Sequence, residues 1–311
     1  MEYILDVDSN ERDPVKYPNT NDFTIDLNRN LYNVSDLLLV SASVPVTQLT
    51  INEGNKHFEI DGTTVTLDEK VYTDGASLAA DLEAKLAPPT SNVSNVVYDP
   101  ETLSLTFSNV GTGNNFTFSF MDGAYGSNTA STTGTPASVL GFPDLDVSST
   151  GGVLTGGVID LHGPTNLLLR ITSGSDDLKK KIYKADGEFQ YTARIIVDKD
   201  IGETMFYKGS DDHVEYYFHE GKFKSIDQLR FRFYFINGSK LIPYDFGNRN
   251  YIMKLKFKCS LDKLIPLKEQ KVPKELIEPP LDTQSSEDTQ MYIILGVVLV
   301  VGLLALMLSK R

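Results

Sequence analysis

Cysteine occurs once in these 311 residues, at Cys259. A lone cysteine excludes an internal disulfide framework and fits a reducing compartment. Basic residues are the minority sign, 29 against 42 acidic ones, for a net charge of −13. That balance argues against a general nucleic-acid binder. The opening MEYILDVDSNERD has no basic stretch, no long apolar run and no small-residue cleavage site. It does not read as a secretory signal, so the bulk of the chain is expected to stay in the cytosol. The motifs GxxxxGK[ST], HExxH and GxSxG are missing, as is a GxGxxG after a strand. Absent motifs do not exclude an enzyme, but the mass of the chain is given to strands and loops, which suits surface contact, and it reads as a non-enzyme with no expected cofactor.

Long apolar runs are also missing, with one exception. Met291 to Leu308 is 18 residues without a charge, followed by Lys310 and Arg311. As a helix it would reach roughly 27 Å, close to the hydrocarbon thickness of a bilayer. It has no polar face, and a helix satisfies its own backbone in lipid. The expectation is a transmembrane anchor, with Met291, Leu295, Leu299, Leu303 and Leu308 along it. Lys310 and Arg311 prefer the cytoplasmic side and argue mildly against their crossing. Residues 266–290, PLKEQKVPKELIEPPLDTQSSEDTQ, hold four prolines and few apolar residues. They read as an extended linker that spans at most roughly 80 Å.

The pattern ahead of the linker is β. Phe23, Ile25 and Leu27 alternate with Thr24 and Asp26, and Leu103, Leu105 and Phe107 with Ser104 and Thr106. Phe116, Phe118 and Phe120 alternate in the same way, as do Leu229, Phe231, Phe233 and Phe235 with Arg230, Arg232 and Tyr234. Period-two alternation marks strands with one buried face. Runs 37–40 and 167–169 are apolar on both faces and read as interior strands. Asp99-Pro100 and Asn237-Gly238 read as turns. Leu78, Leu82 and Leu86 recur every four residues after Asp74, which predicts one short amphipathic helix, stopped by Pro88 and Pro89. Residues 108–158 are rich in Gly, Ser, Thr and Asn and read as long loops with one or two short strands. The expected architecture is an all-β, jelly-roll-like sandwich over 1–265 with one short inserted helix, built as one sandwich or as two packed lobes. The linker 266–290 and the transmembrane helix 291–308 follow.

Charge is unevenly placed. Residues 222–263 hold ten basic side chains and three acidic ones. In YIMKLKFKC, Lys254, Lys256 and Lys258 share one face, and Tyr251, Met253, Leu255, Phe257 and Cys259 share the other. If this strand paired with 229–235, Arg230, Arg232, Lys254, Lys256 and Lys258 would form one basic face. Such a face would dock an acidic partner or anionic lipid heads; equally, it would be a solvated sheet face with lysines guarding an edge. The candidate metal ligands are Asp211, Asp212, His213, His219 and Glu220, at no established spacing. His57 and His162 are isolated, and Asp144 and Asp146 carry no acid–base signal without a cleft. Cys259, on the apolar face of its strand, reads as core. Sequons stand at Asn33, Asn92, Asn115 and Asn237 and carry no weight in a cytosolic protein.

The opening carries more. Asp8, Ser9, Arg12, Asp13, Tyr17, Pro18, Asn19, Asn21, Asp22 and Phe23 spell D-S-x-x-R-D…Y-P-N…N-D-F, and 37–45 reads LLLVSASVP. With the helix at 76–86, the VLGF ending at Phe142 and IDQLRFRFYFING, this series resembles the minor capsid proteins of nucleocytoplasmic large DNA viruses, of the chlorella-virus and iridovirus type. The resemblance spans most of 1–260. It implies no catalytic residues. It implies a structural role between an icosahedral shell and an internal viral lipid membrane, within the virion. The implied partners are the major capsid protein and other minor capsid proteins. The membrane helix would mark a specialised member. Two other readings compete: a membrane-anchored virion protein that binds a receptor or carbohydrate, and a tail-anchored hydrolase on a sandwich scaffold.

Overall fold

Alternating apolar residues bury one face of each strand, and the chain solves this by stacking antiparallel ladders. The computed structural model describes residues 1–87, 91, 93–109, 114–174, 176–178, 180–184, 187–209, 223–259 and 292–294. Met1–Leu261 forms one compact unit and Asp262–Arg311 a second. The linker 266–290 and the candidate metal residues 211–220 lie outside the described residues. So does the apolar stretch 291–308, apart from helical residues 292–294. Among the described residues, no helix is long and apolar enough to cross a membrane.

The chain begins with β1 (Glu2–Asp8), a 3₁₀ turn (Ser9–Glu11) and the 24-residue β2 (Asp22–Pro45). Next come β3 (His57–Ile60), β4 (Thr63–Thr66), α1 (Gly75–Leu86), β5 (Asn95–Asp99), β6 (Ser104–Ser108), β7 (Thr117–Ser119), β8 (Val147–Ser148) and β9 (Val153–Val158). Then follow β10 (Asn166–Ser173), β11 (Asp176–Asp177), β12 (Lys180–Lys184), β13 (Gly187–Tyr191), β14 (Ala193–Ile196) and β15 (Thr204–Lys208). The described part of this unit closes with β16 (Phe223–Asn237), β17 (Lys240–Pro243) and β18 (Ile252–Cys259). Among the described residues of this unit the fold is all-β with one short α-helix, in line with the alternation and the single four-residue repeat.

The main sheet runs β1-β18-β2-β16-β10-β11, with β15 on β2, β17 on β16 and β14 on β10. Its core includes Phe23, Leu37, Leu39, Leu167, Leu169, Phe231, Phe233, Tyr251, Leu255 and Phe257. Residues between β2 and β10 build a second core from Phe58, Leu78, Leu82, Phe107, Phe116, Phe118, Phe120 and Phe142. Two small sheets, β4-β3-β7-β8 and β5-β6-β9, surround it with α1. Phe118 meets Phe58, Phe107, Phe116, Phe120 and Phe142 at ring-centroid distances of 4.9–5.8 Å. Each such pair adds roughly 0.5–1.5 kcal/mol beyond its buried area.

Three expectations need correction. Phe23–Leu27 and 37–45 are not separate strands but the two ends of β2. The alternation breaks between them because Asn33 sits at φ 51°, which rotates the strand about its axis and changes which side chains point inward. The Ser/Thr/Gly-rich stretch 108–158 holds three short strands, β7, β8 and β9. Leu103 is not in the core; it takes φ 53° in the turn before β6 and stays 47% exposed.

Candidate docking surface

The D-S-x-x-R-D motif forms the corner between β1 and β2. Asp8 Oδ1 accepts from the Asn10 N–H, which caps the 3₁₀ turn. Ser9 N–H donates to the Tyr251 carbonyl at 3.0 Å, and Tyr251 N–H to Ser9 Oγ at 2.8 Å. Arg12 then spreads its guanidinium over the loop. Nη1 donates to Ser9 O and Asn250 Oδ1, both at 2.9 Å, Nε to Tyr17 O at 3.0 Å, and Nη2 to Pro18 O at 3.3 Å. A planar fork with several donors suits such an array of oxygens. The motif is thus a backbone clamp.

The five candidate docking charges do not form one patch. β16 and β18 both pair with β2 and not with each other: Gln228–Arg232 lies along Asp22–Asp26, and Ile252–Cys259 along Val34–Ser43. The lysines of β18 also lie against an acidic strand. Lys254 stands opposite Asp6, Lys256 opposite Ile4 and Lys258 opposite Glu2. Lys256 Nζ lies 3.4 Å from Glu2, and Lys258 Nζ lies 3.6 Å from Asp36, which is almost wholly buried. The more exposed Lys256–Glu2 pair adds at most about 1 kcal/mol, whereas the Lys258–Asp36 pair has a buried carboxylate. Lys208 joins the row through Ser41, which faces both Lys208 and Lys254. This face is therefore mixed in charge. Phe206 and Ile252, 74% and 47% exposed, flank Ser43 one row further along.

The arginines belong to a different neighbourhood. Arg232 faces Arg170 across the β16–β10 ladder and Asp22 across the β16–β2 ladder. Arg230 faces Thr172 and Thr24. Arg230 takes Asp22 in a two-point grip, Nε to Oδ1 at 2.7 Å and Nη2 to Oδ2 at 2.6 Å, which raises its pKa further. Arg170 was not singled out from the sequence, because it sits in the apolar run NLLLRITS and its cross-strand partner, Arg232, lies 62 residues away.

Lys240 is another residue that reasoning from sequence missed. Its ammonium donates to Tyr125 O, Gly126 O and Thr133 O at 3.3, 2.8 and 2.9 Å, and to Thr129 Oγ1 at 3.4 Å. Burial lowers its pKa, against Asp144. Beside it, Asn237 Nδ2 donates to Thr135 O, so the sequon side chain at the hairpin tip is already engaged. This hairpin ties the two cores together.

The remaining candidates do structural work. His57 stacks on Tyr125 at 4.5 Å, and burial with nearby Lys56 lowers its pKa. His162 is exposed, 3.6 Å from Asp160. Asp146 Oδ1 accepts from the backbone N–H groups of Met121 and Asp122, and Asp144 packs against Gly238. Cys259 is buried in the main core, and burial pushes its thiol pKa up. Among the described residues, no three His, Cys, Asp or Glu side chains gather into a metal site.

A model of a family of unknown function, DUF5901, matches residues 1–109. That span holds Arg12 with Ser9, Tyr17 and Pro18 of its clamp, all of β2, α1 and the first half of the second core. No curated protein matches the sequence. Among solved structures, the chain is similar to the mavirus penton protein at 8% identity and a TM-score of 0.44, covering 83% of this chain and 99% of that one. It is also similar to a chain of the Sputnik virophage at 12% identity and a TM-score of 0.36, covering 82% and 97%.

Proposed function

We propose that this chain is a structural minor capsid protein that ties an icosahedral shell to an internal lipid membrane. The observation that carries the reading is where the linker begins. It follows β18, which is held on both sides, by β1 over Glu2–Asp8 and by β2 over Val34–Ser43. The Met1 ammonium donates to Cys259 O at 2.7 Å, and the Cys259 N–H donates to Met1 O at 2.8 Å. A tether leaving such a strand pulls on two ladders and not on one loose end. The Pro-rich sequence of 266–290 and the charge-free stretch 291–308 supply a spacer and an anchor. The order of motifs along 1–260 supports a jelly-roll-like capsid fold. The lysine row of β18 and its mixed-charge surroundings suit contact with other capsid subunits, with complementarity fixing register more than strength.

Stepwise extraction tests this reading. Purified particles are treated first with high salt and then with detergent. The chain is expected to stay with the particle in salt and to leave only when the membrane dissolves. Release by salt alone would remove the anchor, and absence from the particles would remove the capsid role.

A further inference from the structure

The Arg12 clamp fixes the loop that follows it by the carbonyls of Tyr17 and Pro18, and the next three residues, 19–21, form one wall of an open cleft. The loop 47–54 and the segment 242–248 after β17 supply the facing walls. The cleft holds about 520 Å³, within the roughly 300–1,000 Å³ of small-molecule sites. Thr20 is only 2% exposed, yet among the described residues its hydroxyl has no hydrogen-bond partner. The same holds for the side-chain amides of Asn19, Asn21 and Asn248. Buried polar groups are normally paired, so an unpaired hydroxyl at the wall of a cleft points to something that fills it. Glu53, Glu69 and Asp245 also line the cleft, and no lysine or arginine does, which disfavours an anion. Each carboxylate already has a partner: Lys56 joins Glu53 and Glu69, and the Gly247 N–H donates to Asp245 Oδ1 at 2.8 Å.

We propose that this cleft is a binding site for a neutral saccharide. Each asparagine donates through Nδ2 and accepts through Oδ1, and the Thr20 hydroxyl does both. A sugar hydroxyl likewise donates and accepts, so a ring edge with several hydroxyls can use both ends of these groups. An ammonium or guanidinium only donates and would leave the amide nitrogens unmatched. Leu49 and Pro243 offer a small apolar wall to the C–H face of a ring. The clamp motif then has a purpose beyond the corner itself, since it holds Asn19, Thr20 and Asn21 at the cleft. Membrane anchoring is not needed for such a site.

The test is ligand-observed NMR on the full chain in micelles of a detergent without a sugar head group. The probes are lactose, maltose, cellobiose and diacetylchitobiose, and calorimetric titration follows for the tightest. Saturable binding of at least one is expected. Thr20→Val keeps the shape and removes the hydroxyl. It should weaken binding about three- to tenfold, the scale of one neutral hydrogen bond. The melting temperature of the free chain should stay level or rise, because no partner is lost. Asn248→Gly, at a φ of 65° that glycine adopts freely, should also weaken binding and replaces Thr20→Val if that variant unfolds. Lys254→Gln, on β18, should leave binding unchanged. Tightest binding of diacetylchitobiose would point to an N-acetylglucosamine polymer or glycan core as the source, and of lactose to a terminal galactoside. No saturable binding of any of the four, argininamide binding tighter than every disaccharide, or wild-type affinity in both variants would each overturn the site.

Discussion

Arg12 is the residue on which the N-terminal corner depends. Four oxygens from Ser9, Tyr17, Pro18 and Asn250 converge on its guanidinium, and three of them are backbone carbonyls. Arg12→Ala would leave these carbonyls to water and free the 13–21 loop. The expected loss is about 2–3 kcal/mol in denaturant unfolding, with Arg12→Lys recovering only part because an ammonium cannot copy the fork. A variant as stable as the parent would show that the clamp is ornamental. The motif was legible in the sequence as a resemblance, but its role was not. Asn250 lies 238 residues from Arg12, and nothing in the local pattern announces that it closes the corner. The same distance hid the true setting of the lysines. Lys254, Lys256 and Lys258 alternate correctly along β18, yet the neighbours that offset them, Glu2, Asp6 and Asp36, lie at the other end of the chain.

At the scale of the element, β2 decides the architecture. Its first half pairs with β16 and its second half with β18 and β15, so one strand serves both parts of the main sheet. The change of partner centres on Val34, which faces both Phe223 and Cys259, and it coincides with the positive φ of Asn33. Asparagine tolerates this left-handed conformation, and a β-branched residue does not. Asn33→Val is expected to be less stable than Asn33→Gly by about 1–3 kcal/mol. Thermal unfolding of both variants checks this; equal losses would mean that the side chain of Asn33, and not its backbone, does the work. The period-two pattern revealed both halves of β2 but not their continuity, because a single left-handed residue breaks the alternation and mimics a turn. The helix was read with nearly correct bounds. Asp74 caps it through the Ser77 N–H at 2.8 Å, and Leu78, Leu82 and Leu86 are wholly buried. Local patterns of this kind need no knowledge of the rest of the chain.

At the scale of the whole molecule, two aromatic-rich cores are joined by the Lys240 hairpin, and β18, the last described strand, is flanked on both sides. The expected single basic face resolves into a mixed lysine row on β18 and a separate arginine group on β16 and β10. Only the register across three strands reveals that separation, and composition cannot carry it. On the proposed function, the folded unit meets the shell while the following segment holds the membrane. Cross-linking with mass spectrometry on intact particles tests this most directly. Lysine links from Lys254, Lys256, Lys258 or Lys208 to a capsid subunit are expected, persisting after detergent removes the membrane. Links confined to membrane proteins, or none to any capsid subunit, would contradict it.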